Sequence, residues 1–129
     1  MQTNEFHIRN DFPKPIKKAL RALSTQAEEA ELRRALEPLS RDFDLWRAGK
    51  IDSFELAHRI HVFHDGPNRK IFNFYDSRLD LDFIVARALH EGLISKDSIS
   101  NEVAPYVEKC LAFFRDDARR DTHPRAQPS

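Results

Sequence analysis

The sequence predicts an all-α protein, a single compact bundle of six or seven helices. Apolar residues recur along most of the chain at the three- and four-residue spacing of one helix face. The 3 glycines among 129 residues, against roughly nine at average usage, suit an architecture that needs glycine only at helix ends. No Asn-Gly or Asp-Gly pair separates two alternating runs, so β-hairpins are not expected.

The first amphipathic helix is predicted from Pro13 or Pro15 to Leu23. Ile16, Leu20 and Leu23 lie at positions i, i+4 and i+7, which places them on one helix face. A proline is tolerated at the opening of a helix because its missing N–H would have no intrahelical partner there. Basic side chains occupy the outer side of this helix.

A second helix is predicted to begin at the capping box Thr25-x-x-Glu28 and to end at Gly49. Its apolar stripe alternates between spacings of four and three residues and passes straight through Pro38. Proline crowds the carbonyl four residues back, so we expect a kink or break near Pro38 with both halves on one core. The stripe comprises Leu32, Leu36, Leu39, Phe43 and Trp46.

A third helix is predicted between a capping box at Asp52 and a stop at Gly66-Pro67. Asparagine is a good capping residue, so Asn68 is expected to start a short aromatic helix that ends at Tyr75. This reading makes the two helices separate elements on either side of the glycine and proline.

Two further helices complete the predicted bundle. One begins near Leu81 and ends at Gly92, and its apolar character favours a central position in the fold. The last begins at Ser98 or Ser100, and it tolerates Pro105 only because that residue lies near the first turn.

One helical domain is expected over residues 1–120, followed by a disordered tail over residues 121–129 that has nothing apolar to bury. Lys and Arg number 21, as do Asp and Glu, so no net positive field favours a polyanion. Cys110 is the single cysteine, which excludes an internal disulfide framework and indicates a reducing compartment. No apolar run reaches the roughly 18 residues of a membrane span. We therefore expect a cytoplasmic protein without a cofactor, neither exported nor membrane-spanning.

Three of the six histidines, His58, His61 and His64, fall on the third predicted helix. Zinc binds imidazole and carboxylate ligands at about 2 Å, but residues seven apart on a helix lie about 10.5 Å apart along its axis. One helix therefore supplies at most two ligands, and His90 or Glu91 would have to supply others. A metal-assisted hydrolase that uses His58, His61, His64 and His90 is one hypothesis; histidines packed at helix interfaces are the alternative.

A second apolar stripe, formed by Phe54, His58 and Val62, is predicted opposite the core side of the same helix. A helix that is apolar on two sides is either sandwiched within the fold or presents one side to a partner. The preferred interpretation is a non-enzymatic interaction or regulatory module, which forms a homodimer or binds another protein. The predicted binding face comprises Phe54, His58, His61, Val62, Phe72 and Tyr75.

The basic first helix offers a third hypothesis, which is contact with nucleic acid. Lysine and arginine side chains bind phosphates. A basic face without interleaved aromatic residues, in a protein of zero net charge, is more often a solvated surface, so this hypothesis ranks third. The residues concerned are Lys14, Lys17, Lys18 and Arg21.

The segment from Trp46 to Gly66 resembles a pattern in small uncharacterised bacterial proteins, W-x-x-G-x-I-x-x-x-E-L-x-x-x-I-H-x-F-H-x-G. The resemblance implies a bacterial, cytosolic origin, and it carries no activity and no catalytic residue. The pair His64-Asp65 is also similar to the pair of the HD phosphohydrolases. Their metal site needs a further histidine on an upstream helix, and here only His7 lies upstream of the histidine helix, so membership is not expected.

Overall fold

The structure, a computed structural model, describes the backbone of residues 12–121 and the side chains of residues 12–116. Its elements are α1 (Lys14–Arg47), α2 (Ser53–Phe63), a π-helical segment (His64–Asn68), α3 (Arg69–Tyr75), α4 (Leu81–His90), a short 3-10 helix (Lys96–Ser98) and α5 (Ala104–Asp121). The described residues form no β-strand, so the all-α prediction is confirmed. Apart from Asp121, which ends α5, the predicted tail lies outside the described residues.

The prediction of six or seven helices is wrong. α2, the π-helical segment and α3 follow one another without a break, and together they form one helical rod over residues 53–75. With this central rod counted once, the described chain contains four continuous helical stretches and one short 3-10 turn.

A single helix, α1, replaces the first two predicted helices. The capping box at Thr25 lies inside it, because Leu20, Leu23 and Ala27 continue one buried stripe past the proposed cap. Pro38 does not break α1 either, since the helix continues through it. Pro38 is exposed and forfeits one backbone hydrogen bond, which the long helical runs on both sides outweigh.

The predicted stop at Gly66-Pro67 is also wrong, because the backbone stays helical through both residues. In a π-helix a carbonyl accepts from the N–H five residues ahead. The carbonyl of Phe63, four residues before Pro67, therefore does not depend on the N–H that proline lacks. Asn68 has helical backbone angles and makes no capping hydrogen bond, so it continues the rod instead of starting a helix.

Three other predicted helix boundaries, at Gly49, Asp52 and Gly92, agree with the structure. Gly49 and Gly92 have φ values of +76° and +74°, the left-handed conformation that closes a helix with glycine. Asp52 caps α2, since its carboxylate accepts from the N–H of Glu55 at 2.8 Å.

The last helix begins later than predicted. α5 starts at Ala104 and not just after Ser98 or Ser100, so Pro105 falls in its first turn. The carbonyl of Ser100 accepts from the N–H of Ala104 at 3.0 Å, and this bond leads the chain into the helix. Within the described residues, no helix has the length and apolar character needed to cross a membrane.

The chain divides into two compact units, and α1 contributes to both. The terminal unit contains the described residues 12–27 and 79–121, and the central unit is Glu28–Arg78. In the terminal unit α4 packs against α5, and Phe83 lies 5.1 Å from Phe114 between ring centroids. Its buried apolar residues are Leu20, Leu23, Ala27, Ile84, Val85, Ala86, Ala88, Leu93, Ile94, Val103, Val107 and Leu111.

The central unit has a much smaller core. Among its residues, all of which the structure describes, the buried apolar side chains are Leu56 on α2 and Ile71 on α3. Leu36 and Trp46, predicted on the core stripe, are 41% and 39% exposed. The described central unit therefore carries large apolar side chains that its own packing leaves in water.

Candidate interaction site

The inner side of the central rod is tied to α1 by polar side chains. Arg59 on α2 donates from Nη1 to the Asp42 carboxylate at 2.8 Å and from Nε to the Glu55 carboxylate at 2.8 Å. Near the other end of the rod, the hydroxyl of Tyr75 donates to the Glu31 carboxylate at 2.9 Å. Tyr75 is half-buried in this contact, so it does not share the exposed side of the rod predicted for it.

Arg59 is a permanent charge at the center of these ties. The hydrogen bonds that it gives to Glu55 and to Asp42 raise the pKa of its guanidinium above the usual range. It therefore stays protonated at every pH at which the protein would be handled. Its two donor edges are committed to carboxylates within the central unit, so Arg59 belongs to the scaffold of the site.

The opposite side of the rod carries a stripe of six exposed residues. Their spacings of four, three, four, four and three follow one helix face. Two contacts confirm that the stripe continues across the π-helical segment: Nε2 of His61 lies 3.2 Å from the Asp65 carboxylate, which accepts from Nη2 of Arg69 at 3.1 Å. With Val62 beside it, this outer face comprises Phe54, His58, His61, Val62, Asp65, Arg69 and Phe72.

The apolar members of the outer face are strongly exposed. Phe54 is 87% exposed, Phe72 is 58% exposed and Val62 is 51% exposed. The sequence left open whether this stripe is sandwiched within the fold or presented outward, and within the described chain it is presented. Exposed phenylalanines thus stand near both ends of the rod, with a polar ladder of His61, Asp65 and Arg69 between them.

Three of the four histidines of the metal hypothesis contact different partners. His61 pairs with Asp65, and Nδ1 of His64 lies 3.4 Å from the side-chain amide of Asn68. His90 stacks on Phe114 in the terminal unit, with ring centroids 5.3 Å apart. The described part of the chain contains no group of three His, Cys, Asp or Glu residues placed to hold a metal ion.

The basic residues of the nucleic-acid hypothesis lie together at the beginning of α1. Lys14, Lys17, Lys18 and Arg21 line one open depression with Ala22 and Thr25. That lining offers no aromatic ring on which a base could stack, a common anchor for single strands. The arrangement is a positively charged helix surface, without a feature that selects nucleic acid.

Sequence reasoning chose Phe54, His58, His61, Val62 and Phe72 for the binding face. Helical spacing also places Asp65 beside His58 and His61, but the pairing of Asp65 with Arg69 was missed. An Asp and an Arg four residues apart are a recognisable helix pair. Here the pair was divided between two predicted helices, because the proline suggested a stop. Recognising one continuous helix from residue 53 to residue 75 would have revealed the ladder.

Sequence reasoning also missed a contact that closes the loop between α1 and α2. The indole N–H of Trp46 donates to the Ser53 hydroxyl at 3.0 Å, and this bond joins the end of α1 to the beginning of α2. Helical periodicity assigns Trp46 to a core stripe, so nothing in the spacing pointed to a polar partner.

The chain was compared with known proteins at three levels. No family model matches it, and neither a curated protein nor a solved structure matches it. The resemblance of residues 46–66 to small bacterial proteins stays a prediction.

Proposed function

We propose that this chain is a non-enzymatic helical interaction module that docks a protein partner through the outer face of its central rod. The observation that carries the proposal is the exposure of Phe54 and Phe72 on one stripe of one continuous helix. A phenylalanine side chain has roughly 150–250 Å² of surface to bury. Burial of apolar surface is the main favourable contribution to the free energy of association, and a ring left in water does not make that contribution. A partner that covers both rings gains the free energy of burying them.

The composition of the outer face supports docking. Aromatic and arginine side chains are enriched where protein interfaces gain most of their binding energy. The face has aromatic rings near its ends and an His61–Asp65–Arg69 ladder in the middle, so a partner would meet apolar anchors and a defined pattern of charge. The charged groups fix the orientation of a partner, while the rings supply the contact area.

We also propose a cytoplasmic location and a bacterial origin. Cys110 is the single cysteine of the chain and is half-buried, as expected for a protein that does not rely on disulfides. The resemblance of residues 46–66 to small bacterial proteins favours the same compartment. Neither statement bears on which partner the outer face binds.

Photo-crosslinking in the cells that produce the protein tests the proposed function. A photoreactive amino acid replaces Phe54 in one variant and Arg33, an exposed residue of α1, in a matched control. We expect a discrete crosslinked product from position 54, lost when Phe72→Asp is added, and none from position 33. A smear of products equal at both positions, or none at position 54, would show that the outer face is not a docking surface.

A further inference from the structure

The residues of the outer face are spaced symmetrically on either side of Phe63. Phe54 precedes His61 by seven residues, and Phe72 follows Asp65 by seven residues. Each exposed aromatic ring is therefore separated by the same number of residues from one member of the His61–Asp65 pair. Turning the rod end for end about Phe63 exchanges the two phenylalanines and exchanges His61 with Asp65.

From this symmetry we infer that the partner is a second copy of the chain, packed antiparallel on the outer face around a two-fold axis near Phe63. Phe54 of each copy packs against Phe72 of the other, and His61 of each copy faces Asp65 of the other. A two-fold interface uses one self-complementary patch on both subunits, and the outer face has that property. The inference rests on the proposed function, because it names the occupant of the same face.

Charge favours the antiparallel arrangement over the parallel one. In a parallel pair in register, Asp65 would face Asp65 and Arg69 would face Arg69, and such like-charge contacts are destabilising. In the antiparallel pair each Asp65 faces an imidazole. Arg69 then faces Ala57 of the other copy, which is exposed and small enough to leave room for the guanidinium.

The area of the outer face fits a weak dimer. The exposed parts of Phe54, Val62 and Phe72 amount to roughly 300 Å² in each copy. With the half-exposed polar ladder of both copies added, the interface reaches roughly 1,000–1,200 Å², the lower end of specific interfaces. We therefore expect a dissociation constant on the order of 1–100 μM.

Sedimentation of the purified full chain over a range of concentrations tests the second copy. The wild type should pass from about 15.1 kDa to twice that mass across the micromolar range. Phe54→Asp and Phe72→Asp should each raise the dissociation constant at least tenfold. Phe113→Asp is the matched control, because Phe113 is 55% exposed and lies in the terminal unit, and it should dimerise like the wild type. Circular dichroism verifies that each variant keeps its helix content.

Disulfide crosslinking tests the orientation, in a Cys110→Ser background and with both phenylalanines retained. His58→Cys and Arg69→Cys lie five residues before and six residues after Phe63, so in the antiparallel pair they differ by about 1.5 Å along the axis. A tagged Arg69→Cys chain mixed with His58→Cys should form the mixed dimer under mild oxidation. His58→Cys alone should not, since its two copies would be about 15 Å apart along the axis. Efficient crosslinking of His58→Cys to itself would overturn the antiparallel arrangement.

Failure of this inference is distinguishable from failure of the proposed function. A chain that stays monomeric at millimolar concentration, while photo-crosslinking from position 54 yields a product other than twice 15.1 kDa, has a different protein as its partner. In that case the second copy is wrong and the docking function stands. A monomeric chain without a discrete crosslinked product contradicts both.

Discussion

Gly49 and Gly66 hold different backbone geometries on either side of the same helix. Gly49 has a φ of +76°, which L-amino acids with a side chain rarely adopt. Gly66 lies within the π-helical segment, where the backbone is helical. A Cβ atom added at either position would meet no atom within 4 Å. Backbone conformation alone therefore decides what a side chain would cost at each position.

Alanine substitution at these glycines should change stability in opposite directions. Gly49→Ala should lower the free energy of unfolding by about 1–2 kcal/mol, the cost of a left-handed conformation. Gly66→Ala should raise it by about 0.5–1 kcal/mol, because the unfolded chain loses conformational freedom. Urea unfolding followed by circular dichroism measures both. A destabilising Gly66→Ala would show that the segment around residue 66 is not helical in solution.

At the scale of elements, the sequence predicted the helices well where their ends depend on local chemistry. Gly49, Gly92 and the cap at Asp52 are set by conformations and hydrogen bonds within a few residues. The errors at Thr25 and Pro67 lie where a local boundary signal is overridden by the structure around it. Thr25 gives way to the buried stripe of α1, and Pro67 is accommodated by a change of hydrogen-bond pattern.

The sequence alone predicts which residues of the candidate site share a helix face, because a helical wheel requires nothing else. Phe54 and Val62 are eight residues apart in one helix, so they lie near the same face whatever the rest of the chain does. Whether that face is covered depends on what the rest of the chain packs against it, which spacing does not encode. Phe72 joins the same stripe only because the rod continues across the π-helical segment.

Replacement of Pro67 should raise the stability of the chain without weakening its self-association. Pro67→Ala restores a backbone N–H and lets residues 64–68 adopt the α-helical pattern, so the free energy of unfolding should rise by up to about 3 kcal/mol. The spacings that place Phe72 on the stripe of Phe54 are α-helical, so a regular α-helix over residues 64–68 keeps Phe72 on that stripe. We therefore expect a more stable chain that dimerises at least as tightly as the wild type.

The matched control for this variant is Pro38→Ala. Pro38 also lies inside a helix, but it belongs to α1 and not to the outer face. It should raise the stability in the same direction and leave the dissociation constant unchanged. Thermal unfolding and sedimentation measure the two quantities, and weaker dimerisation of Pro67→Ala alone would show that Phe54 and Phe72 share a face only through the π-helical segment.

At the scale of the whole molecule, the two units differ in what holds them together. Among the described side chains, 12 of the 14 buried apolar residues belong to the terminal unit, and Leu56 and Ile71 are the two that belong to the central unit. The described central unit also holds seven of the nine exposed large apolar residues. Because apolar burial is the dominant favourable term in folding, the central unit should have the lower stability against local opening.

Dimerisation would bury apolar side chains that the central unit leaves exposed. The protection of the central unit against amide hydrogen exchange should therefore depend on protein concentration. Amide hydrogen exchange followed by mass spectrometry compares a sample well below the dissociation constant with one about 100-fold above it. A partner at that excess stabilises by about 2.7 kcal/mol, which slows exchange by about 100-fold. This slowing should appear in peptides from Glu28–Arg78 and be nearly absent in peptides from residues 79–116.

Phe54→Asp separates this effect from any general influence of concentration on exchange. In that variant, peptides from the central unit should exchange rapidly at both concentrations, while those from the terminal unit keep the protection of the wild type. Equal protection of the two units at low concentration would show that Leu56, Ile71 and the Arg59 and Tyr75 ties hold the central unit without a partner. The exposed Phe54 and Phe72 would then serve docking alone, and folding of the central unit would not depend on it.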